Sequence, residues 1–124
     1  MIDLTAAASA LEAANQVVAA GIARLAEIGL DENQVLAYDV AHAAAAVQTG
    51  QSLLGYGIKG DVEASIANAF IADAIAELAG KVFGRESEWG VGFDAFDSTR
   101  EYVATYRNPE FLADAVLQGK GIDP

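Results

Sequence analysis

An apolar residue recurs every seven positions along the start of the chain, and this spacing is the strongest constraint on its fold. The four residues are Leu4, Leu11, Val18 and Leu25. An interval of seven returns to the same side of an α-helix after two turns, whereas a half-buried strand alternates every second residue. Alanine, the best helix former, fills many positions between them. The pattern predicts one helix from Asp3 to about Ile28, which Gly29 ends.

Two further alanine-rich segments predict long helices of the same kind. The second helix should run to about Tyr56, and Asp31 and Gln34 near its start have the spacing of a capping box. The third should begin at Asp61, a good N-cap residue, and reach about Phe83. Because the links between the three helices are short, we expect neighbouring helices to be antiparallel.

The last third of the chain changes character after Gly84. Its glycines and aromatic residues predict an ordered loop over 84–97. Ser98 and Glu101 have capping-box spacing and predict a short helix to about Arg107. Asn108 before a proline then predicts the start of a last helix, ending at Gly119.

The sequence therefore predicts an all-α fold in a single domain that covers residues 1–124. An antiparallel bundle of three long helices should occupy residues 3–84, and one or two short helices should lie within 98–119. No segment shows the two-residue alternation of a strand. Alanine buries little apolar area per residue, so the core should be thin.

Charge and composition narrow the classes of partner and location. The formal net charge is -11, which repels phosphate backbones and anionic lipids and argues against nucleic-acid and membrane partners. The chain has no cysteine. Its N-terminus lacks the basic region and apolar run of a signal peptide, so we expect a cytoplasmic protein.

Two side-chain pairs raise the question of chemistry. His42 follows Asp39 by three residues, which is half of a carboxylate-bridged di-iron signature, but the chain has one histidine only. We therefore predict no metal site, and expect a buried or half-buried His42 bonded to Asp39. Asp73 and Glu77 lie four residues apart and should form a solvated helix face. No catalytic residue is predicted, because no nucleophile–base arrangement or phosphate loop is present.

The stretch GKVFGRESEWG, Gly80 to Gly90, interrupts this plain helical pattern. It combines three glycines with the chain's single tryptophan. Trp89 supplies an apolar face that should bury itself and pin the loop onto the bundle, close to the third helix and the helix after the loop. Phe83 and Val91 are the neighbours expected to cover it. We interpret Glu86, Glu88 and Trp89 as an interaction loop.

Several motifs together resemble the acyl-CoA dehydrogenase flavoproteins. The resemblance is greatest to an extra N-terminal helical domain found ahead of some bacterial members, and it covers Val35 to Phe111. The motifs are AYDVAHAAAAV, YGIKGDVEA, FIADAIAELAG, GRESEWGV and YVATYRNPEFLA. In that family a helix pair ends in a Gly-Gly loop that approaches the flavin of a neighbouring subunit.

The resemblance implies a role for the loop after the third helix. Gly84 and Arg85 stand where the family has Gly-Gly, so they are the candidate cofactor-binding residues, acting at an interface. A complete enzyme of this family also has a β-domain that holds the flavin, for which this sequence has no strand pattern. FAD is therefore expected only in a complex or a full-length enzyme, and none in the isolated chain. No residue matches the family's catalytic base, since Glu63, Glu77, Glu86 and Glu88 do not lie in its motif.

Three functions follow as expectations. The first is an accessory helical domain or small subunit of an acyl-CoA dehydrogenase-like flavoenzyme, used for packing and assembly. The second is a chain that completes an FAD or acyl-CoA site at a subunit interface. The third is a free-standing helical module that binds a small ligand or a protein. The expected partners are a second copy of the chain or an acyl-CoA dehydrogenase subunit.

Overall fold

A computed structural model describes residues 2–122, and the side chains of residues 2–115. It confirms the all-α helical bundle: in residues 2–122 every regular element is a helix. The helices are α1 (Thr5–Ile28), α2 (Gln34–Gly57), α3 (Asp61–Val82), α4 (Glu86–Trp89), α5 (Arg100–Tyr106) and α6 (Pro109–Ile122). The three long helices pack on one another, and α5 and α6 pack on α3.

Close approaches at three glycines show how the long helices run. A methyl group added to Gly21 would lie 2.8 Å from Val40 Cγ2, one on Gly50 would lie 2.9 Å from Leu11 Cδ1, and one on Gly57 would lie 2.8 Å from Leu4 Cδ1. Successive contacts thus move towards the C-terminus of α2 and towards the N-terminus of α1, so the two helices are antiparallel. The missing side chains let the helices approach closely enough for leucines to fill the gap.

The core lies between the long helices and is thin, as the alanine content predicts. Its fully buried large side chains include Leu36, Ile71, Ile75, Val82 and Trp89. Two isoleucines of the long helices are exposed, Ile22 in α1 and Ile66 in α3. Ile22 lies at the border of the buried face of α1, whereas Ile66 lies on the side of α3 opposite its buried residues.

The helix starts differ from the predicted caps in two places. Asn33, not Asp31, precedes α2, and its side-chain amide donates to the carbonyl oxygens of Ile28 and Gly29 at 3.2 and 2.8 Å. That side chain therefore caps the end of α1. Asp61 is the first residue inside α3. Its carboxylate there interacts favourably with the positive end of the helix dipole.

The C-terminal third also departs from prediction. The predicted loop over 84–97 contains α4, and a 3₁₀ turn over Asp97–Thr99 leads into α5 without a side-chain cap from Ser98. The start of α6 is as predicted, since the Asn108 side chain accepts from the Glu110 amide at 2.8 Å. The helix continues to Ile122, beyond the predicted end at Gly119.

A buried polar contact fixes α5 on α3. The Tyr102 hydroxyl donates to Asn68 Oδ1 at 2.7 Å, and both residues are buried. The side-chain nitrogen of Asn68, Nδ2, has no hydrogen-bond partner among the described residues. Burial raises the pKa of Tyr102 well above its ordinary value, because a phenolate would lose its hydration there.

We predict opposite effects of adding one methyl group at two helical glycines. Gly21→Ala places that group 2.9 Å from the Trp89 ring, and such overpacking costs about 1–3 kcal/mol. Gly55→Ala meets nothing within 4 Å, so it should gain up to about 1 kcal/mol from helix propensity alone. Urea unfolding of both variants measures the difference, and equal stability of the two would contradict the close packing at Gly21.

We predict that Tyr102 makes the fold sensitive to alkali. Its folded-state pKa lies above the unfolded value of about 10, so the unfolded chain releases this proton first as the pH rises. The resulting stability is complete below about pH 10 and is lost above it. Tyr102→Phe should cost about 1–3 kcal/mol near neutral pH, because Asn68 loses its donor. It should then lose less stability than the wild type on going to about pH 11.

Urea unfolding at both pH values is the measurement. Tyr38→Phe is the matched control, because Tyr38 is exposed. This substitution should change neither the stability near neutral pH nor the loss of stability at about pH 11. An equal alkaline loss in Tyr102→Phe and in the wild type would show that another group is responsible.

Candidate functional site

The corner after α3 is built by two glycines with positive φ. Gly84 has φ 80° and Gly90 has φ 73°, a backbone region that L side chains rarely adopt. The first lets the chain turn out of α3, and the Arg85 amide donates back to the Val82 carbonyl at 2.7 Å. The second ends the single turn of α4. The glycines in GKVFGRESEWG thus serve backbone geometry at these two positions.

Trp89 holds this corner on the bundle, as predicted, but on a different surface. Its side chain is 0% exposed and its ring lies against Gly21 of α1, where Val40 of α2 also approaches. The prediction that Phe83 covers it is wrong, because Phe83 is 84% exposed. The helix against which α4 packs most is α1, which the sequence did not predict. Glycine at position 21 leaves the space that the indole needs.

Arg85 ties the corner to α2. Its guanidinium donates to Asp39 Oδ2 at 2.8 Å and to both carboxylate oxygens of Glu88, at 2.9 and 3.2 Å. A fourth hydrogen bond goes to the Lys81 carbonyl at 3.2 Å. The hydrogen bonds that Arg85 donates to Glu88 and, second in size, to Asp39 raise the pKa of Arg85, and the same Arg85–Glu88 hydrogen bonds lower the pKa of Glu88.

The Arg85 contacts replace the one expected between Asp39 and His42. His42 is exposed, and its ring lies tilted against the Tyr38 ring with centroids 4.5 Å apart. The prediction of a buried or half-buried His42 bonded to Asp39 is therefore wrong. The sequence did not reveal the true pair, because Asp39 and Arg85 are 46 positions apart. Over the described residues, no group of three or more His, Asp or Glu side chains could hold a metal.

The other acidic pair behaves as predicted. Asp73 and Glu77 are both exposed on α3. Each has a basic neighbour, with Asp73 Oδ1 at 3.0 Å from Arg107 Nε and Glu77 Oε1 at 3.8 Å from Lys81 Nζ. Such exposed pairs contribute little stability, about 0–1 kcal/mol each.

On the outer side of the corner lies a hollow that we call the aromatic hollow. It has a volume of about 370 Å³. Its principal lining residues are Phe83, Gly84, Glu86, Phe93, Phe96 and Arg100. Phe83 is 84% exposed and Phe93 is 92% exposed, whereas Phe96 is half-buried. Exposed aromatic residues that share one surface hollow mark an interaction site more often than scattered ones do.

The corner therefore offers a binding surface rather than reacting groups. The candidate cofactor residues Gly84 and Arg85 are adjacent at its centre, but Arg85 spends four hydrogen bonds inside the chain and has one N–H left for an outside acceptor. Of the predicted interaction residues, Glu86 lines the hollow, Glu88 pairs with Arg85 and Trp89 is wholly buried. The sequence did not point to Phe93 as an exposed residue of this surface, and it predicted that Phe83 would cover Trp89 instead.

Comparison with known proteins adds no family to this description. No family model, curated protein or solved structure matches the chain.

None of the helices in residues 2–122 is both long enough and apolar enough to cross a bilayer.

We predict that Trp89→Ala removes much of the stability of the fold. Truncating a buried aromatic residue costs about 3–5 kcal/mol, and a thin core has little to offset that loss. Because Trp89 is the single tryptophan, the wild-type emission reports its burial directly and should be blue-shifted and resistant to iodide quenching. Phe83→Ala is the control and should leave the melting temperature nearly unchanged. A red-shifted, freely quenched emission would contradict the burial of Trp89.

Proposed function

We propose that the chain is an accessory helical domain or small subunit of an acyl-CoA dehydrogenase-like flavoenzyme, and that it serves packing and assembly. The observation that carries this proposal is the aromatic hollow with Phe83 and Phe93 exposed at 84% and 92%. An aromatic side chain that gains burial at an interface is among the strongest contributors to binding. Both rings are exposed in the isolated chain and would be buried by a partner that docks on the hollow.

The rigidity of the corner supports a docking role. Trp89 fixes the inner side of the corner on α1, and the Arg85 contacts fix it on α2. A surface that is held in place before binding loses less conformational entropy when a partner docks. The hollow is therefore built on a supported turn rather than on a free loop.

The motifs of the chain support the choice of partner class. The stretch GRESEWGV resembles the flavoprotein family. It contains the turn at Gly84 and also Arg85, whose side chain donates hydrogen bonds to Asp39 and Glu88. In that family the equivalent loop approaches a neighbouring subunit. The aromatic hollow lies on the same turn and faces outward, so a flavoprotein subunit is the partner that both the motifs and the surface favour.

Assembly is favoured over direct completion of a flavin site. Most of the hydrogen-bonding capacity of Arg85 is used by Asp39, Glu88 and the Lys81 carbonyl. A phosphate group would have to displace these carboxylates to gain a bidentate contact. A role in packing asks for no such rearrangement.

We predict that the chain co-elutes in gel filtration with an acyl-CoA dehydrogenase flavoprotein from its own genome. The flavin absorbance of the shared peak identifies the partner as a flavoprotein. The double variant Phe83→Ser with Phe93→Ser should weaken the complex by at least about 2 kcal/mol, the size of an interface hot spot. Isothermal titration with the purified partner measures this loss.

The matched control is Val35→Ser with Ile58→Ser. These residues are 71% and 69% exposed and do not line the aromatic hollow, so their replacement should leave binding unchanged. The proposal fails if the flavoprotein does not bind, or if both double variants bind it equally well. Flavin reduction by acyl-CoA that requires the chain would favour the interface-site alternative instead.

A further inference from the structure

A small crevice opens between the three long helices, distinct from the aromatic hollow. Its volume is about 140 Å³. Residues of α1, α2 and α3 all contribute to its lining. The two surfaces share no residue. A ligand in the crevice would therefore leave the docking corner free.

Alanines on all three helices create the space. Ala14, Ala43, Ala46 and Ala74 contribute only methyl groups where larger side chains would close the bundle. Elsewhere α2 meets its neighbours through Gly50, whose added methyl group would lie 2.9 Å from Leu11 and 3.4 Å from Ile71. These tight contacts fix the spacing of the helices, so the alanine-lined region cannot collapse by a simple shift of α2.

The floor and the rim of the crevice differ in polarity. The floor is apolar and closed to solvent, since Leu11, Val47, Ile75 and Leu78 are buried. Polar groups occur among the lining residues only at His42, Glu77 and Lys81. An apolar pit with a few polar groups at its mouth is the usual form of a small-molecule site.

The rim contains a cation whose partner is easily replaced. Lys81 Nζ lies 3.8 Å from Glu77 Oε1, beyond the distance of a good hydrogen bond. The Lys81 side chain is 25% exposed and that of Glu77 is 73% exposed. The lysine is therefore held near the crevice, whereas the glutamate can turn into solvent at little cost. An outside carboxylate could take its place beside Lys81.

We propose that this crevice binds a small monocarboxylate with an apolar body. A dry cavity of about 150 Å³ accommodates benzene, so the body has about six carbon atoms. The body fills the alanine-lined floor, and the carboxylate accepts hydrogen bonds at the rim from Lys81 and from His42. A single lysine matches one negative charge, and the net charge of -11 opposes polyanions such as nucleotides.

Benzoate is the probe, and benzyl alcohol is its uncharged counterpart of similar shape. Titration of the full chain, followed by heteronuclear NMR, should show saturable one-to-one binding of benzoate, with shifts centred on the crevice residues. Lys81→Met keeps the aliphatic stem and removes the charge. It should weaken benzoate binding by about tenfold or more, the loss expected for a charge-assisted hydrogen bond, and leave benzyl alcohol unchanged.

A matched pair of alanine variants tests the location. Ala46→Leu fills the crevice and should abolish binding of both probes, whereas Ala45→Leu places the same side chain on the exposed face of α2 and should leave binding unchanged. Helix content by circular dichroism verifies that each variant is folded. Because Lys81 lies on the rim, its variant gives an answer even if Ala46→Leu does not fold.

Three outcomes overturn the inference. The first is the absence of saturable benzoate binding to the wild type. The second is equal affinity for benzoate and benzyl alcohol with no effect of Lys81→Met, which would show that the crevice does not recognise a carboxylate. The third is equal loss of binding in Ala45→Leu and Ala46→Leu. None of these results bears on flavoprotein docking, which uses the other surface.

Discussion

The indole ring of Trp89 lies against the backbone of Gly21, and the position of the corner after α3 depends on this contact. The contact requires a large flat side chain on one element and no side chain on the other. Because the ring is fully buried, α4 and the glycine turns on either side of it are held close to α1. Phe83 and Phe93 then point outward as a consequence, since the space beneath the corner is already filled.

Small side chains also determine the packing of the rest of the bundle. Most core positions are alanine, valine or leucine, so each contact buries little area and the helices must approach closely. Gly50 and Gly57 provide that approach for α2 against both of its long neighbours. Where alanines face one another instead of a glycine and a leucine, the packing leaves the crevice near Lys81. Tight contacts and open space thus arise from the same small residues.

Charge has a local role at the corner that the overall acidity conceals. Arg85 lies between Asp39 and Glu88, and its two partners come from different helices. The fork geometry of a guanidinium suits this arrangement, because it donates in two directions at once. The contacts close the corner on its polar side, as Trp89 closes it on its apolar side. The outward face carries the aromatic rings together with Glu86 and the exposed ion pair of Arg100 and Asp97.

The sequence by itself determined the three long helices and the start of α6, because helical periodicity and end signals act over a few residues. Local patterns of this kind predicted α1 from the spacing of Leu4 and Leu11, its end from Gly29, and the start of α6 from the Asn108 cap. The tertiary structure alone decided which surface covers Trp89, which residue pairs with Asp39 and which phenylalanines stay exposed. These outcomes depend on residues such as Gly21 and Arg85 that are far away in the sequence, and on the distance between helices. A local pattern contains no information about either.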